Sequence, residues 1–361
     1  MADRARPAEG PSLRDRLAAE PGLGDALRAR ARMLRGIRAL LDGLGFLEVT
    51  TPSLVPAPDP SLHLETFHTL LEGPGLPARE LHLVTSPEHC MKRMLAAGLE
   101  RIYQLGPFFR NGEVSLLHNP EFTGLEWYRA GASFEDTLQL TEEVVRAAAR
   151  AVCGTLRPVC RGGQTLDLAA PFRRLSVRDA LAELAGVRAP ADWDEAGLRR
   201  ALVQAGIPPA ADDAFDDLVN RALVARVEPA LARLGPVFLV HYPAPMAALA
   251  RLRPGQPHEA ERFELFAGGL ELCNGYGELT DAAEQRRRFE AERATRARLG
   301  RRVPPLDEAF LRALAQGMPE AGGNAVGLDR LLMLLLGARR IQDVLPFPLS
   351  LELGIELPED H

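Results

Sequence analysis

Apolar residues recur three and four apart in "LRARARMLRGIRALLDGLGF", a spacing that predicts an amphipathic helix ended by Gly43 and Gly45. "FLEVTTPSL" follows as a strand ending at Pro52. "LHLVTSPEHCMKRMLAAG" reads as a strand and then a helix opened by Ser86, with Pro87 in its first turn. In "PEFTGLEWYR" the period drops to two, which puts Phe122, Gly124, Glu126 and Tyr128 on one face of a strand and Thr123, Leu125 and Trp127 on the other. The second face reads as core. "FEDTLQLTEEVVRAAARAV" returns to helical spacing, and residues 155–235 form an Ala- and Asp-rich helical stretch with weaker signals that reads as an insertion. Strands resume in "PVFLVHYP" and "ERFELFAGGLELCNGYGEL", followed by the charged helix "DAAEQRRRFEAERATRARLG" and the Gly-punctuated "AGGNAVGLDRLLMLLLGA". Hairpins kept apart from helices, without a βαβ rhythm, predict an α+β fold: an antiparallel sheet flanked by helices. Residues 1–25, rich in Pro, Gly, Ala and Arg, read as a loosely ordered lead-in to one large domain over 26–361.

Composition narrows this picture by exclusion. With 361 residues, 46% hydrophobic and 25% charged, the chain can bury a full core. A formal net charge of -6 argues against broad electrostatic capture of nucleic acid. Cys90, Cys153, Cys160 and Cys273 form neither a close pair nor a zinc-like group with histidine, so buried free thiols are expected. The longest apolar run, "LLMLLLGA", is far short of a membrane span, and the N-terminus lacks an apolar signal region. A cytoplasmic chain with no membrane association is the expectation.

Three segments carry chemistry. On β-strand parity, Phe122, Gly124, Glu126 and Tyr128 suit the floor of a pocket for a flat ring and a cation, although a solvated face with incidental polar residues is the alternative. Arg110 ends the preceding strand, where its planar fork would suit a phosphate or carboxylate. In "ELCNGYGEL", Asn274, Tyr276 and Glu278 share one parity and Glu271 the other, so one pocket can use them all only across a bulge, for which Gly275 is a plausible site. In "GGNAVGLDRLLMLLLGA", small residues admit a close ligand, and Arg330 begins a helix apolar all round. An arginine there needs an anionic partner, and Asp329 is a candidate. Neither a GxxxxGK[ST] loop nor a GxGxxG after a strand is present, so any nucleotide is held another way.

Taken together, "FLEVTTP", "FFRNGEVSLLHNPEFTGLEWY" and "GNAVGLDRLLMLLLG" resemble motifs 1, 2 and 3 of the class II aminoacyl-tRNA synthetases. "TSPE", "HNPEFT", "PVFLVHYPAPMAALAR" and "ELCNGYGELTDAAEQ" are similar to lysyl-tRNA synthetase, over residues 30 to about 348. No counterpart of the anticodon-reading domain precedes residue 30, so tRNA anticodon recognition is not expected. A catalytic domain alone resembles the family that attaches (R)-β-lysine to elongation factor P. "TSPEHCMKRMLAAG", "AERFELF", "ELTDAAEQRRRFE" and "QGMPEAGGNAVGLDRL" also look like that family. Ala325 stands where the tRNA-charging lysyl enzymes have glycine and the elongation factor P enzymes have alanine.

The resemblance implies a ligase using ATP and Mg2+, with (R)-β-lysine or lysine as substrate, elongation factor P as partner, and a homodimer formed around Pro52 in motif 1. By the family pattern Arg110 clamps the α-phosphate, Phe122 and Arg330 sandwich the adenine, and His118 and Asn119 contact the nucleotide. Asn111, Gly112, Leu272 and Gly327 complete the ATP site, and Glu271 helps hold magnesium. Arg110, Arg330 and Glu271 are the catalytic set. The lysine pocket would use Ser86, Pro87, Glu88, Glu126 and Tyr128 from one side, and Asn274, Tyr276, Glu278 and Ala325 from the other. Glu278 would face the distal ammonium and Glu88 the proximal one. No residue stands out as a general base for the acceptor amine. One departure is local: the family reads Arg-Asn-Glu at motif 2, whereas Arg110 and Asn111 are followed here by Gly112 and then Glu113. Either Glu113 reaches the same spot through a shifted loop, or the backbone makes its contact. The competing functions are a truncated paralogue that charges tRNA or another carrier, and a non-catalytic regulatory protein on the same fold.

Overall fold

The sheet expected from the hairpin pattern is built from eight strands, and the computed structural model describes residues 10–160 and 163–357. The strands are β1 (Leu47–Glu48), β2 (Leu54–Val55), β3 (His68–Gly73), β4 (Leu76–Leu83), β5 (Arg101–Phe109), β6 (Glu121–Ala130) and β7 (Arg173–Ser176). They continue with β8 (Val237–Val240), β9 (Leu252–Arg253), β10 (Gln256–Ala260), β11 (Arg262–Ala267), β12 (Leu270–Gly277) and β13 (Ala321–Gly327). The helices are α1 (Leu13–Ala19), α2 (Pro21–Gly43), α3 (Glu88–Ala96), α4 (Phe134–Cys153), α5 (Val177–Ala185) and α6 (Glu195–Gln204). After these come α7 (Phe215–Ala222), α8 (Glu228–Leu231), α9 (Ala282–Arg298), α10 (Glu308–Gly317), α11 (Leu328–Leu336) and α12 (Leu349–Glu352).

The main sheet runs β1-β5-β6-β13-β12-β11-β8-β7. Its interior pairings are antiparallel, as the hairpins require, while β1 lies parallel to β5 and β7 parallel to β8 at the two edges. The expected strand "FLEVTTPSL" shrinks to the two residues of β1 at such an edge.

Local chemistry fixes the helix ends. Ser133 and Asp136 form a reciprocal capping box at the start of α4, and Gly154 ends it in the left-handed region at φ 68°. Asp281 caps α9 through the backbone N–H groups of Ala283 and Glu284. One face of the sheet is sealed by α2, α4 and α11. Met33, Ile37, Leu138, Val144, Leu331 and Met333 from these helices pack with Leu125, Trp127 and Val326 from the strands. Trp127 is 1% exposed, so the parity that the sequence assigned to the core is the buried one.

Three expectations change. Residues 1–9 of the expected lead-in lie outside the described residues, but from Leu13 the chain is helical. Ser12 caps α1, and the buried guanidinium of Arg16 donates to the carbonyls of Gln342, Leu345 and Pro346, anchoring the segment to the C-terminal region. Residues 155–235 supply β7 to the sheet edge, and Val177, Leu181, Trp193, Leu218 and Val227 share a core with Val237, Leu239 and Phe266 of β8 and β11. Finally, the bulge in β12 is at Leu272: Leu265 pairs with Cys273 and Phe266 with Glu271, so two β12 residues are spanned by one step of β11. Gly275 has a different duty. A Cβ there would lie 2.3 Å from the Phe263 ring, which fills the space over the glycine.

A Gly275→Ala substitution should therefore cost about 1–3 kcal/mol through overpacking. Urea denaturation is the measurement, with a lowered midpoint at unchanged slope as the expected result.

Candidate functional site

The register of three adjacent strands builds the site. Tyr128, Gly323 and Tyr276 lie in one row across β6, β13 and β12, and Glu126, Ala325 and Asn274 in the next. Gly124 opposes Gly327 in the row beyond. Alternation along each strand brings all three rows to the face that α2, α4 and α11 leave open. β13 thus offers nothing larger than a methyl group on this face, forming a trough between two walls of functional side chains. A Cβ at Gly323 would fall 2.4 Å from the Tyr128 ring and 2.5 Å from Glu278 Oε1. Two joined cavities of about 110 Å3 and about 700 Å3 occupy the trough, and Ser86, Arg110, Glu126, Glu271, Asn274 and Ala325 line both.

The smaller cavity is cationic at its rim. The Arg110 guanidinium lies 5.1 Å from the Phe122 ring centre and 3.6 Å from the Glu113 carboxylate, and its buried Nε has no partner. Gly112 turns the loop at φ 85°, which lets Glu113 reach the cavity wall one residue late. Arg330, in the first turn of α11, donates to the Glu271 carbonyl at 3.1 Å and lies 3.4 Å from its carboxylate. It also bonds His118 Nε2. Burial and the Arg330 charge hold the His118 imidazolium form down, so the ring is a neutral acceptor. Asp329 is not the partner of Arg330, because helical geometry turns neighbouring residues apart. Its carboxylate pairs with Arg30 of α2 and accepts from the Thr123 N–H at 2.7 Å, tying helix, strand and α11 together.

The larger cavity is anionic at its base. Glu126 is 1% exposed and accepts from Tyr128 Oη at 2.5 Å and Ser86 Oγ at 2.9 Å. Ser86 Oγ in turn accepts from the Glu88 N–H at 3.0 Å, so one hydroxyl both binds the first residue of α3, whose N-cap is Pro87 rather than Ser86, and orients Glu126. Burial, then the neighbouring Glu88 charge, pushes the Glu126 carboxyl up to about 8. Glu278, fully enclosed, is also raised by burial, with Lys92 at 2.5 Å pulling the other way. Lys92 closes the cluster, 2.5 Å from Glu88 as well. Burial alone would lower its pKa, but the charges of Glu278 and Glu88 outweigh it and keep the ammonium.

The trough therefore gathers most of the residues singled out in the sequence. Phe122, His118, Asn119, Leu272, Gly327 and Arg330 line the smaller cavity, while Glu88, Tyr128 and Tyr276 line the larger. Four residues stand apart. Asn111 and Gly112 line neither cavity, Pro87 borders a separate small hollow beneath Ser86, and Glu278 sits behind Gly323 with its Oε1 unpartnered. Asn119 has a structural task as well, bonding the Glu121 carbonyl at 2.6 Å and the Leu349 N–H at 2.9 Å.

The sequence reading passed over Lys92, whose signal was its helical spacing four residues from Glu88. It also passed over Glu264, whose carboxyl is raised by burial and by the neighbouring Glu271 charge and already serves Tyr242 and Arg262. Among the described residues no three His, Cys, Asp or Glu side chains converge as a metal cage. A cation here would rest on a carboxylate such as Glu271 plus ligand oxygens, the usual mode for magnesium beside phosphates. No described helix is long and apolar enough to cross a membrane.

A family model described as tRNA synthetases class II (D, K and N) matches residues 16–351. The elongation factor P--(R)-beta-lysine ligase of Vibrio cholerae is 38% identical over 325 residues, covering 89% of this chain and 94% of that protein. The lysine--tRNA ligase of Moorella thermoacetica is 38% identical over 341 residues, covering 92% of this chain and 66% of that enzyme. That of Anaeromyxobacter sp. (strain K) is 37% identical over 349 residues, with the same coverage. The chain thus spans just under two thirds of the lysine--tRNA ligases it matches.

The raised Glu126 carboxyl has a consequence for stability. Below its ordinary value of 4.5 it is protonated in both folded and unfolded chains, and as pH rises toward about 8 only the unfolded chain loses the proton. Its contribution is therefore full at low pH and is lost as pH climbs through about 8. Glu126→Gln should flatten the decline of melting temperature between about pH 5 and pH 9, read by thermal melts in a pH series.

Proposed function

We propose, from the premise that this chain belongs to the class II tRNA synthetases of the D, K and N group, that it is a cytoplasmic ATP-dependent ligase. It activates (R)-β-lysine, or lysine, as an aminoacyl-adenylate and transfers it to a lysine side chain of elongation factor P. Charge balance carries the choice of amino acid. Glu88, Glu126 and Glu278 gather around one internal ammonium, Lys92. Ionising all three leaves two negative charges beyond Lys92, and the two ammonium groups of lysine or its β isomer would offset them and draw the raised Glu126 and Glu278 carboxyls to their charged forms. Glu278 Oε1 and Asn274 Oδ1, both buried without a hydrogen-bond donor, are acceptors available to them.

The smaller cavity is assigned to ATP. Class II synthetases generally use ATP with magnesium, and Glu271 would hold the cation, which supplies neutralisation of phosphate charge. Arg110, whose Nε is free, takes the α-phosphate, and Phe122 and Arg330 enclose the adenine. The amino-acid carboxylate attacks the α-phosphorus, forming a carboxyl–phosphate bond as the bond to pyrophosphate breaks. A neutral acceptor amine then displaces AMP from the carbonyl, giving an amide. Arg110 orients the α-phosphate and offsets charge that develops on it, while Arg330 fixes the adenine end of the nucleotide. Ala325, between Glu126 and Asn274, sets the floor height where the two isomers differ by the position of one ammonium. A homodimer is proposed through the motif 1 region, around which Leu47, Leu54, Leu70, Leu71 and Leu76 stand exposed.

Charging of tRNA is the second reading, favoured by the 38% identity to the Moorella thermoacetica enzyme. Incubating the protein with ATP, either lysine isomer, and elongation factor P or tRNA separates the two. A mass gain on elongation factor P is expected, and labelled tRNA beside unmodified elongation factor P would sink the main reading. Ala325→Gly should shift activation toward α-lysine by about tenfold, within the discrimination one methyl provides. In pyrophosphate exchange, Arg330→Ala should lower kcat by at least about a hundredfold.

A further inference from the structure

Lys92 touches neither cavity, and its side chain is fully enclosed. Burying an ammonium costs hydration that pairing repays only in part, and an apolar side chain of similar length would serve packing at least as well. Stability alone is thus a poor account of it. The geometry is more informative. Lys92 Nζ takes Oε1 of Glu88 and Oε2 of Glu278, each at 2.5 Å, and sits 5.8 Å from the Tyr128 ring centre. On Glu278 this leaves Oε1 buried without a donor behind Gly323, a glycine that lines the larger cavity. Around Lys92 stand Glu88 on its own helix, Glu126 and Tyr128 on β6, Glu278 beyond β12, and Asp59 from the loop after β2. Arg251 adds a further positive field at Glu278. Removing Lys92 would leave the carboxylates repelling one another, and protonation would relieve that repulsion.

We infer that Lys92 is a positioning residue for amine recognition: it clamps one oxygen of Glu88 and one of Glu278, and so aims the remaining oxygens at the substrate's ammonium groups. This rests on the reading of the larger cavity as a diamino-acid pocket. Lys92 makes no contact with the reacting atoms, so its loss is felt in substrate affinity and its pH dependence, not in the chemical step.

The test is diamino-acid-dependent ATP–pyrophosphate exchange from about pH 6.5 to pH 9.5, spanning the raised carboxyl range. Lys92→Met should raise the KM for the diamino acid at least about tenfold at pH 7. It should leave the KM for ATP unchanged and kcat within about threefold, and move the pH at which KM levels off upward by about one unit. A lower melting temperature with an unchanged pH profile overturns the inference. Should Lys92→Met not fold, Glu278→Gln and Lys92→Met/Glu278→Gln replace it, since the unpaired carboxylate is then gone. The double variant should show the higher pH midpoint because Glu88 has lost its clamp, and identical profiles overturn the inference. Wild-type protein that exchanges pyrophosphate with no diamino acid overturns the pocket reading instead, before any variant is made, and this inference with it.

Discussion

Crowding several carboxyl groups inside a protein is the constraint on which the open face of this sheet turns. Glu126 and Glu278 are each 1% exposed, and Glu88 faces the same space. An isolated buried carboxylate neutralises itself by taking a proton. Here the hydroxyls of Ser86 and Tyr128 and the ammonium of Lys92 share that burden, and they do so incompletely. The residue of unmet charge is what makes the base of the larger cavity anionic.

That arrangement needs a rigid support, which the other face of the sheet supplies. Leu125, Trp127 and Val326 are locked beneath α2, α4 and α11, so the alternate residues on the same strands are held in fixed rows. The Arg30 and Asp329 pair, with the Thr123 N–H, fastens α2, β6 and the start of α11 at one point. Arg330 projects from that fastened turn, and its reach to Glu271 is set by the backbone rather than by the flexibility of its side chain. Small residues complete the design: Gly323 and Ala325 leave the depth that larger side chains would fill.

Much of this was legible in the chain. The period of two in "PEFTGLEWYR" separated the core face from the working face correctly, because a one-residue slip would have exposed Trp127. The small residues of "GGNAVG" announced a close approach, and the segments around Pro52, Arg110 and Arg330 carried the resemblance to class II synthetases. Other features were not legible. The bulge at Leu272, rather than Gly275, depends on how β12 pairs with β11, and the glycine was needed to accommodate the Phe263 ring. The partner of Arg330 is Glu271, 59 residues away in the chain, while the adjacent Asp329 belongs to Arg30.

The sequence by itself determined the α+β class, the buried parity of β6 and most of the polar residues that meet in the trough, since these follow from local periodicity and residue chemistry. Only the tertiary structure decided which charges meet. Spacing alone makes Lys92 an i, i+4 neighbour of Glu88, and folding closed it off by bringing Glu278 against it. The reason is physical: a charge's partners and hydration depend on distances across the fold, which strand register and helix packing set and no local pattern encodes.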